Sequence, residues 1–258
     1  METTNHQALI VDQFSKQALP FSTAKTIADE KALQLLVESA AAGADDTVLD
    51  VACGGGNVVC AFAKVVRHAT GIDVTPAMLE RARAMARESA LANVSWDRGQ
   101  ATALPYADAS FSIVVTRFSF HHFFDPLAAL KEMVRVCKPG GRVLVADMYA
   151  SADAAKGAAF NRMEVLRDPS HVRALALDEL RALFPAAGLP QARVAFYELR
   201  DELDSLLARS FPHPGDDERI RQIFIASAAD DRLGIAIRLE GERVHYAYPV
   251  AVLAATRP

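Results

Sequence analysis

The stretch VLDVACGGGN, residues 48–57, places an aliphatic run, a carboxylate and three consecutive glycines within ten residues. The aliphatic run is typical of a strand that is buried on both faces of a sheet. A tight turn from such a strand into a helix needs residues that tolerate positive φ, and close approach of a ligand needs the absence of Cβ. The N-terminus of the next helix offers free N–H groups and a partial positive charge. The stretch therefore predicts a strand, a ligand-binding turn and a helix.

Strand and helix patterns alternate through the middle of the chain. Short apolar runs predict five strands, at residues 47–53, 68–74, 94–100, 110–120 and 141–148. Amphipathic segments between them predict three helices, at residues 57–66, 76–93 and 127–141. This alternation predicts an α/β fold with a parallel sheet and helices on both of its faces.

Composition and charge narrow the classes of function. The chain has 258 residues and a net charge of −4, so nothing in its overall charge predicts binding to nucleic acid. The N-terminus does not have the pattern of a signal peptide, and no apolar run is long enough to predict a membrane span. Three cysteines without C-x-x-C spacing predict a reduced, cytoplasmic protein. No metal-ligand spacing is present, and we expect no metal site.

Chemically distinctive residues follow the ends of four predicted strands. In open parallel sheets, ligands bind outside the carboxyl ends of the strands, where the strand order reverses. Asp73 ends the second predicted strand, 17 residues after Gly56. A carboxylate at that place can accept hydrogen bonds from both hydroxyls of a ribose. Together with the glycine turn, Asp73 predicts a ligand that contains adenosine.

A nicotinamide-dependent oxidoreductase is the first alternative for such a ligand. The run from Gly54 through Gly56 to Val59 lacks the third glycine of the dinucleotide pattern G-x-G-x-x-G. Asp50 lies just before this turn, where its charge would disfavour a pyrophosphate and favour the ammonium group of a methionine. The residues thus favour a methionine-containing adenosine ligand over a dinucleotide.

Four segments in order resemble the successive motifs of class I S-adenosylmethionine-dependent methyltransferases. The segments are VLDVACGGGN, GIDVTPAMLERA, GQATALPYADASFSIVVTRFSFHHFFDP and VRVCKPGGRVLVADM. They are similar in particular to the branch of the ubiquinone and menaquinone C-methyltransferases, which includes many small-molecule methyltransferases. The resemblance covers residues 45–150 and implies a Rossmann-like, doubly wound, seven-stranded sheet with helical lid insertions. It also implies S-adenosyl-L-methionine as the cofactor.

The resemblance implies a cofactor-binding role for a set of residues along these motifs. The residues are Asp50, Ala52, Gly54, Gly55, Gly56, Asp73, Val74, Met78, Gln100, Ala101 and Arg117. The turn after residue 51 would place its backbone against the methionine portion, and Asp50 would orient the ammonium group directly or through water. Asp73 would hold the ribose, and Arg117 would lie near the methionine carboxylate or the substrate.

The remaining members of the set would surround the adenine. The resemblance places Val74 and Met78 against the ring, and Gln100 and Ala101 at its edge. Met78 also fits ordinary core packing on an amphipathic helix, and Arg117 fits an ordinary ion pair. Two residues depart from the family pattern. Gly55 stands where threonine is common, and Gln100 stands where Asp or Asn is common.

Three histidines are candidate general bases. His121 and His122 lie in a phenylalanine-rich stretch directly after a predicted strand, and we slightly favour His122. His171 is the third candidate, with Asp168 as its orienting carboxylate. Each of these histidines can instead cap a helix or bond to the backbone.

The resemblance and the chain patterns together predict three regions. Residues 1–44 form an N-terminal helical cap, with two short helices in 11–40 whose Phe14 and Phe21 either cover the cofactor cleft or pack in the core. Residues 45–150 form the cofactor-binding core. Residues 151–258 supply the remaining strands, and the insertions 148–175 and 201–240 form helices that cover the substrate.

The predicted function is transfer of a methyl group to an O, N or C atom of a small, partly apolar molecule. Positioning and the exclusion of water would be the main contributions of the protein. A protein that binds S-adenosylmethionine without methylating remains an alternative, because fold does not fix chemistry. The sequence does not indicate an oligomeric state.

Overall fold

The fold is described from a computed structural model that covers residues 2–258, with side chains from residue 5 onward. The strands are β1 (Thr47–Val51), β2 (His68–Asp73), β3 (Val94–Arg98), β4 (Phe111–Arg117), β5 (Cys137–Met148), β6 (Arg193–Glu202), β7 (Arg238–Glu240) and β8 (Arg243–Thr256). The helices are α1 (Glu2–Ser22), α2 (Glu30–Ser39), α3 (Asn57–Ala63), α4 (Pro76–Glu88), α5 (Pro126–Val136), α6 (Ala154–Arg167), α7 (Leu177–Ala186), α8 (Leu203–Ala208) and α9 (Asp216–Ser227). A 3₁₀ turn, Phe120–His122, follows β4.

The strands form one mixed sheet in the order β3-β2-β1-β4-β5-β8-β6, and β7 pairs with β8 alone. The pairs from β3 through β5 are parallel, as the alternation of patterns in the middle of the chain predicts. Strand β8 is antiparallel to both β5 and β6, so the sheet is mixed rather than entirely parallel. Two residues join β7 to β8, and so short a connection permits only an antiparallel pair. The α/β, doubly wound class is confirmed.

The reversal of strand order determines where a cleft forms. The chain builds β1, β2 and β3 outward in one direction and then returns to place β4 on the other side of β1. The helices that follow β1 and β4 diverge from this point, which leaves a crevice at the carboxyl ends of the two strands. The glycine turn after β1 therefore lies in the crevice.

Three apolar clusters hold the layers together. One face of the sheet packs against α2 and α3, with Leu36 and Phe62 completely buried. The opposite face packs against α5 and α7 through residues such as Leu130 and Phe184. A third cluster, which includes the fully buried Phe224, joins the helices after β5 to the ends of β6 and β8. Within residues 2–258, no helix has the length and apolar character that crossing a membrane requires.

The N-terminal segment differs from the prediction of two short helices in residues 11–40. Helix α1 is a single helix of 21 residues, and α2 is a separate helix of ten. Ile10, Phe14 and Phe21 recur at helical spacing and all line one cavity, so a single face of α1 is directed inward. The first helix is therefore longer than predicted, because it begins before residue 11 and its inward face lines the cavity along most of its length.

The turn after β1 depends on backbone conformations that few residues adopt. Ala52, Gly54 and Gly56 have φ of 57°, 50° and 88°, all in the left-handed region. A Cβ on Gly56 would lie 2.8 Å from the indole of Trp96. A Cβ on Gly55 would lie 2.4 Å from Cβ of Ser22 at the end of α1. Close packing of α1 therefore accounts for a glycine at residue 55.

We expect Gly55→Ala to lower the free energy of unfolding by about 1–3 kcal/mol, because the new methyl group overpacks the contact with Ser22. Urea denaturation measures the change. The loss should be smaller in a Ser22→Gly background, which removes the opposing Cβ. Gly43→Ala is the matched control, because nothing lies within 4 Å of a Cβ there. An equal loss at Gly43 and Gly55 would contradict the packing explanation.

Candidate active site

A cavity of about 450 Å³ lies at the carboxyl ends of β1, β2 and β4. Its volume falls within the range of roughly 300–1,000 Å³ that is usual for small-molecule sites. Five stretches of the chain contribute its lining, within residues 6–27, 50–58, 73–78, 99–102 and 117–125. The cavity thus combines the strand ends that the sequence analysis singled out with the inward face of α1.

Most of the predicted site residues line this cavity. They are Asp50, Ala52, Gly54, Gly55, Asp73, Val74, Met78, Gln100, Ala101, Arg117 and His122. Gly56, His121 and His171 do not. Gly56 is instead the N-cap of α3, packed against Trp96, so its contribution is to the shape of the turn.

Asp50 is a buried carboxylate that the protein leaves unpaired. Neither of its oxygens has a hydrogen-bond partner among the residues with described side chains. Burial raises its pKa well above the usual value, and the charge of Asp73 raises it further, while Arg117 opposes the shift. A buried carboxylate without a partner is costly, so the site favours a ligand that brings a cationic group to this position.

Arg117 presents a second unpaired group to the same cavity. Its Nη1 donates to the carbonyl oxygen of Ile27 at 2.8 Å, and its Nε donates to the hydroxyl of Tyr197 at 3.1 Å. Its Nη2 is buried and has no partner in the described part of the chain. The cavity therefore presents a buried carboxyl group and a buried cationic donor, a combination that complements the zwitterionic end of an amino acid.

Asp73 is fixed by the backbone of the turns on either side. Its Oδ2 accepts a hydrogen bond from the N–H of Gly54 at 2.9 Å, and its Oδ1 accepts one from the N–H of Thr75 at 2.8 Å. Burial nevertheless raises its pKa. Each carboxylate oxygen can accept a further hydrogen bond, so Asp73 can bind a vicinal diol while it holds the glycine turn in place.

Helix α1 forms the roof of the cavity, and sequence reasoning missed most of its contacts. The amide of Gln100 donates to the side-chain oxygen of Gln7 at 3.1 Å. Nε2 of His6 lies 3.0 Å from the carbonyl oxygen of His122. Phe14 and Phe21 also line the cavity. These polar residues of α1 lie more than 90 positions from their partners, and no local pattern identifies such contacts.

The three candidate histidines form one cluster, which the sequence did not predict. The ring of His121 lies 4.3 Å from that of His122 and 5.5 Å from that of His171, between centroids. The proposed pairing of His171 with Asp168 is wrong, because the His171 ring donates from Nε2 to the Asn161 side chain at 2.8 Å. The carboxylate of Asp168 instead accepts hydrogen bonds from other residues: Ser170, Gln17 and Arg167.

The surroundings of the histidines differ. Nδ1 of His122 lies 2.9 Å from the carbonyl oxygen of Ser170. Because a carbonyl oxygen can only accept a hydrogen bond, Nδ1 carries the proton of the neutral ring. Burial and the neighbouring His121 lower the pKa of His122 to about 3. His171 is also buried and has a lowered pKa, and its Nδ1 has no partner among the described side chains. His121 alone contacts a carboxylate, with Nδ1 2.6 Å from Oδ1 of Asp147.

Comparison with known proteins identifies the family. Residues 49–145 match a family model described as a methyltransferase domain. The uncharacterized methyltransferase YcgJ of Bacillus subtilis is 34% identical over 236 residues, which cover 90% of this chain and 93% of YcgJ. The crystal structure of YcgJ aligns with a TM-score of 0.81 at 31% identity, over 88% of this chain and 99% of that one.

Two further relatives agree with this assignment. The crystal structure of BH2331 from Bacillus halodurans aligns with a TM-score of 0.81 at 28% identity, over 88% of this chain and 99% of that one. The ubiquinone/menaquinone biosynthesis C-methyltransferase UbiE of Bdellovibrio bacteriovorus is 40% identical over 112 residues, 43% of this chain and 47% of UbiE. The chain therefore belongs to the class I family of S-adenosylmethionine-dependent methyltransferases.

Proposed function

We propose that this protein transfers the methyl group of S-adenosylmethionine to a small, partly apolar molecule. The proposal depends on one observation: the carboxyl oxygens of Asp50 and Nη2 of Arg117 have no partner among the described side chains, and both residues line a cavity whose other wall is largely aromatic. When bound, S-adenosylmethionine supplies a methyl group that its sulfonium already activates. The protein then needs to hold the two reactants in line and to keep water out.

The polar end of the cavity fits the cofactor. Asp50 would pair with the ammonium group of the methionine portion, and Nη2 of Arg117 would donate to its carboxylate. The two oxygens of Asp73, each already fixed by one backbone N–H, would accept the ribose hydroxyls. Val74 and Met78 would contact the adenine, with Gln100 and Ala101 at its edge. These roles satisfy the buried polar groups that the protein itself leaves without partners.

The apolar end of the cavity fits the acceptor. Phe14, Phe21, Ile27 and Phe118 contribute apolar side chains to its lining. Phe118 has a φ of 56°, which is uncommon for a residue other than glycine and directs the chain sharply away from β4. Aromatic walls exclude water and favour an apolar ligand body. We therefore expect a small molecule, not a nucleic acid, as the acceptor.

A protein that binds the cofactor without transferring methyl groups is the second candidate. Gly55 and Gln100, the two departures from the family pattern, gave it support. Packing against Ser22 now accounts for Gly55. The amide of Gln100 is bonded to Gln7 and can still accept a hydrogen bond at the adenine edge. The observations consequently favour an active methyltransferase.

We expect Asp50→Asn to weaken binding of S-adenosylmethionine at least about tenfold, because it removes one partner of a buried charge pair. The same substitution should raise the free energy of unfolding of the ligand-free protein by about 1 kcal/mol, because the raised pKa of Asp50 costs stability at neutral pH and the amide cannot ionise. Isothermal titration calorimetry and urea denaturation measure the two effects. A substitution that weakens ligand binding while it raises the free energy of unfolding is characteristic of a residue whose role is to bind the ligand.

Asp46→Asn is the matched control for that substitution. Asp46 lies just before β1 and forms an ion pair with Arg142 at 2.5 Å, and the hydrogen bonds it accepts lower its pKa despite partial burial. Its loss should destabilise the protein and leave cofactor affinity unchanged. Unchanged affinity in Asp50→Asn would contradict the assigned role.

The stability difference between the wild type and Asp50→Asn should also depend on pH. The raised pKa of Asp50 means that the folded state holds this proton more tightly than the unfolded state, whose aspartates titrate near about 3.9. The wild type therefore loses stability relative to the variant as pH rises above that value, until the folded carboxyl is itself ionised. Urea denaturation of both proteins from acid to neutral pH measures the difference. A difference that does not change with pH would be inconsistent with a raised pKa.

Turnover separates the candidate functions. We expect calorimetric binding of S-adenosylmethionine, no binding of NADH, and formation of S-adenosylhomocysteine with at least one member of a panel of phenols, amines and quinones. Binding without turnover on the whole panel would favour the second candidate. Turnover on RNA or protein alone would contradict a small-molecule acceptor.

A further inference from the structure

A second cavity, of about 60 Å³, adjoins the first at its apolar end. Five residues line both: Phe14, Phe21, Ile27, Phe118 and His122. The residues that line only the smaller cavity include six polar ones: Gln17, His121, Arg167, Asp168, Arg209 and Tyr248. The smaller cavity can receive a polar substituent but not a whole ligand. A molecule whose body lies between the shared phenylalanines would extend such a substituent into it.

His121 is held rigidly at the wall of the smaller cavity. Its Nδ1 lies 2.6 Å from Oδ1 of Asp147, which is fully buried. The carboxylate is itself fixed, because Oδ2 accepts the N–H of Phe120 at 2.7 Å and Oδ1 accepts the N–H of Met148 at 2.8 Å. A carboxylate on Nδ1 places the lone pair of a neutral imidazole on Nε2 and stabilises the imidazolium that forms when Nε2 takes a proton. No hydrogen bond to Nε2 is present among the described side chains.

The neighbouring histidines lack these properties. His122 donates to a neutral carbonyl, and its buried ring has a pKa of about 3, so it remains uncharged near neutral pH. His171 donates to Asn161 and lines neither cavity. Of the three rings, only that of His121 combines a carboxylate partner with access to a cavity.

The charges around the smaller cavity are already paired within the protein. Arg167 contacts Glu164 at 2.5 Å and lies 3.5 Å from Asp168, and Arg209 contacts Asp201 at 2.7 Å. The hydroxyl of Tyr248 donates to Glu164 at 2.6 Å. Among the described side chains that line this cavity, no cation is left without an acidic partner to neutralise an anionic head group. A neutral substituent that can donate one hydrogen bond suits these surroundings better than a carboxylate or a phosphate.

We propose that the smaller cavity receives the hydroxyl of a neutral aromatic alcohol, and that His121, positioned by Asp147, is the base that accepts its proton. The inference deepens the proposed function and depends on it. As the acceptor oxygen bonds to the methyl carbon, the carbon–sulfur bond breaks and its electron pair stays on sulfur. The O–H bond breaks toward Nε2 of His121, and the proton later passes to solvent. The products are an aryl methyl ether and S-adenosylhomocysteine.

The test compares two probes of nearly the same shape, 2-naphthol and 2-naphthalenethiol. The thiol is much more acidic than the naphthol, so it provides an ionised nucleophile without a base. His121→Gln should lower kcat for the naphthol by about 10²- to 10⁴-fold, the usual contribution of a general base. It should lower kcat for the thiol by less than about tenfold, with KM and cofactor affinity nearly unchanged.

The pH profile adds a measurement that a purely structural role would not change. In His121→Gln, naphthol methylation should rise about tenfold per pH unit, because ionisation in solution replaces the missing base. The naphthol methylation activity of the wild type should rise less steeply with pH than that of the variant. Asp147→Asn should show the same preference for the thiol, since it leaves His121 in the wrong tautomer. His68→Gln is the matched control and should match the wild type, because His68 begins β2 and lies at the end of that strand away from the cavity.

The outcomes separate this inference from the proposed function. Equal losses for naphthol and thiol in His121→Gln would show that the ring only supports the fold, and would overturn the assignment of a base. A wild-type protein that binds S-adenosylmethionine and methylates only the thiol, or neither probe, would overturn the hydroxyl acceptor. Failure to bind S-adenosylmethionine would overturn both. If Asp147→Asn does not fold, the two-probe comparison with His121→Gln decides alone.

Discussion

The structure depends on two buried carboxylates at one turn, of which the protein satisfies only one. Asp73 accepts hydrogen bonds from two backbone N–H groups and fixes the glycine turn, whereas Asp50, near the end of the adjacent strand, has no partner in the part of the chain with described side chains. Close together and buried, the two charges disfavour each other. Protein stability alone would not select such an arrangement. Its retention is consistent with a cationic ligand whose binding energy offsets the cost.

The glycine turn also couples the cofactor end of the cavity to its roof. Gly55 lies directly under Ser22 at the end of α1, and Gln7 near the other end of that helix holds Gln100. Gln17, between them, donates to Asp168 beside the smaller cavity. One helix therefore contacts the cofactor turn, the adenine edge and the acceptor end together.

The parts of the fold and site that the sequence predicts are those that local patterns encode. Aliphatic runs and the glycine turn locate the parallel strands, and their ends locate Asp50 and Asp73. The length of α1 depends on packing with distant elements, so local patterns did not predict it. The partners of Arg117 lie 80 and 90 positions away. No periodicity identifies contacts at that separation.

Asp147 was not among the predicted site residues, although the sequence contains a pattern that indicates its importance. It interrupts the apolar run of β5 two residues after Val145, at a strand end that faces the crevice. An aspartate in a run of that kind must be paired or hydrogen-bonded, since an isolated buried charge is too costly. This rule marks Asp147 as a residue that needs a hydrogen-bond partner near the crevice, although it does not identify His121 as that partner.

The exit from β4 shows how one strained residue places neighbouring groups at both ends of the cavity. Arg117 lies on the cofactor side, and its guanidinium carbon is 4.5 Å from the centre of the Phe118 ring. Phe118 then adopts positive φ while its N–H still donates to Ala146 on β5. This reversal leads directly into the 3₁₀ turn that carries His121 and His122. The conformation costs about 1–3 kcal/mol, yet a relaxed strand would continue past the crevice and carry both histidines away from it.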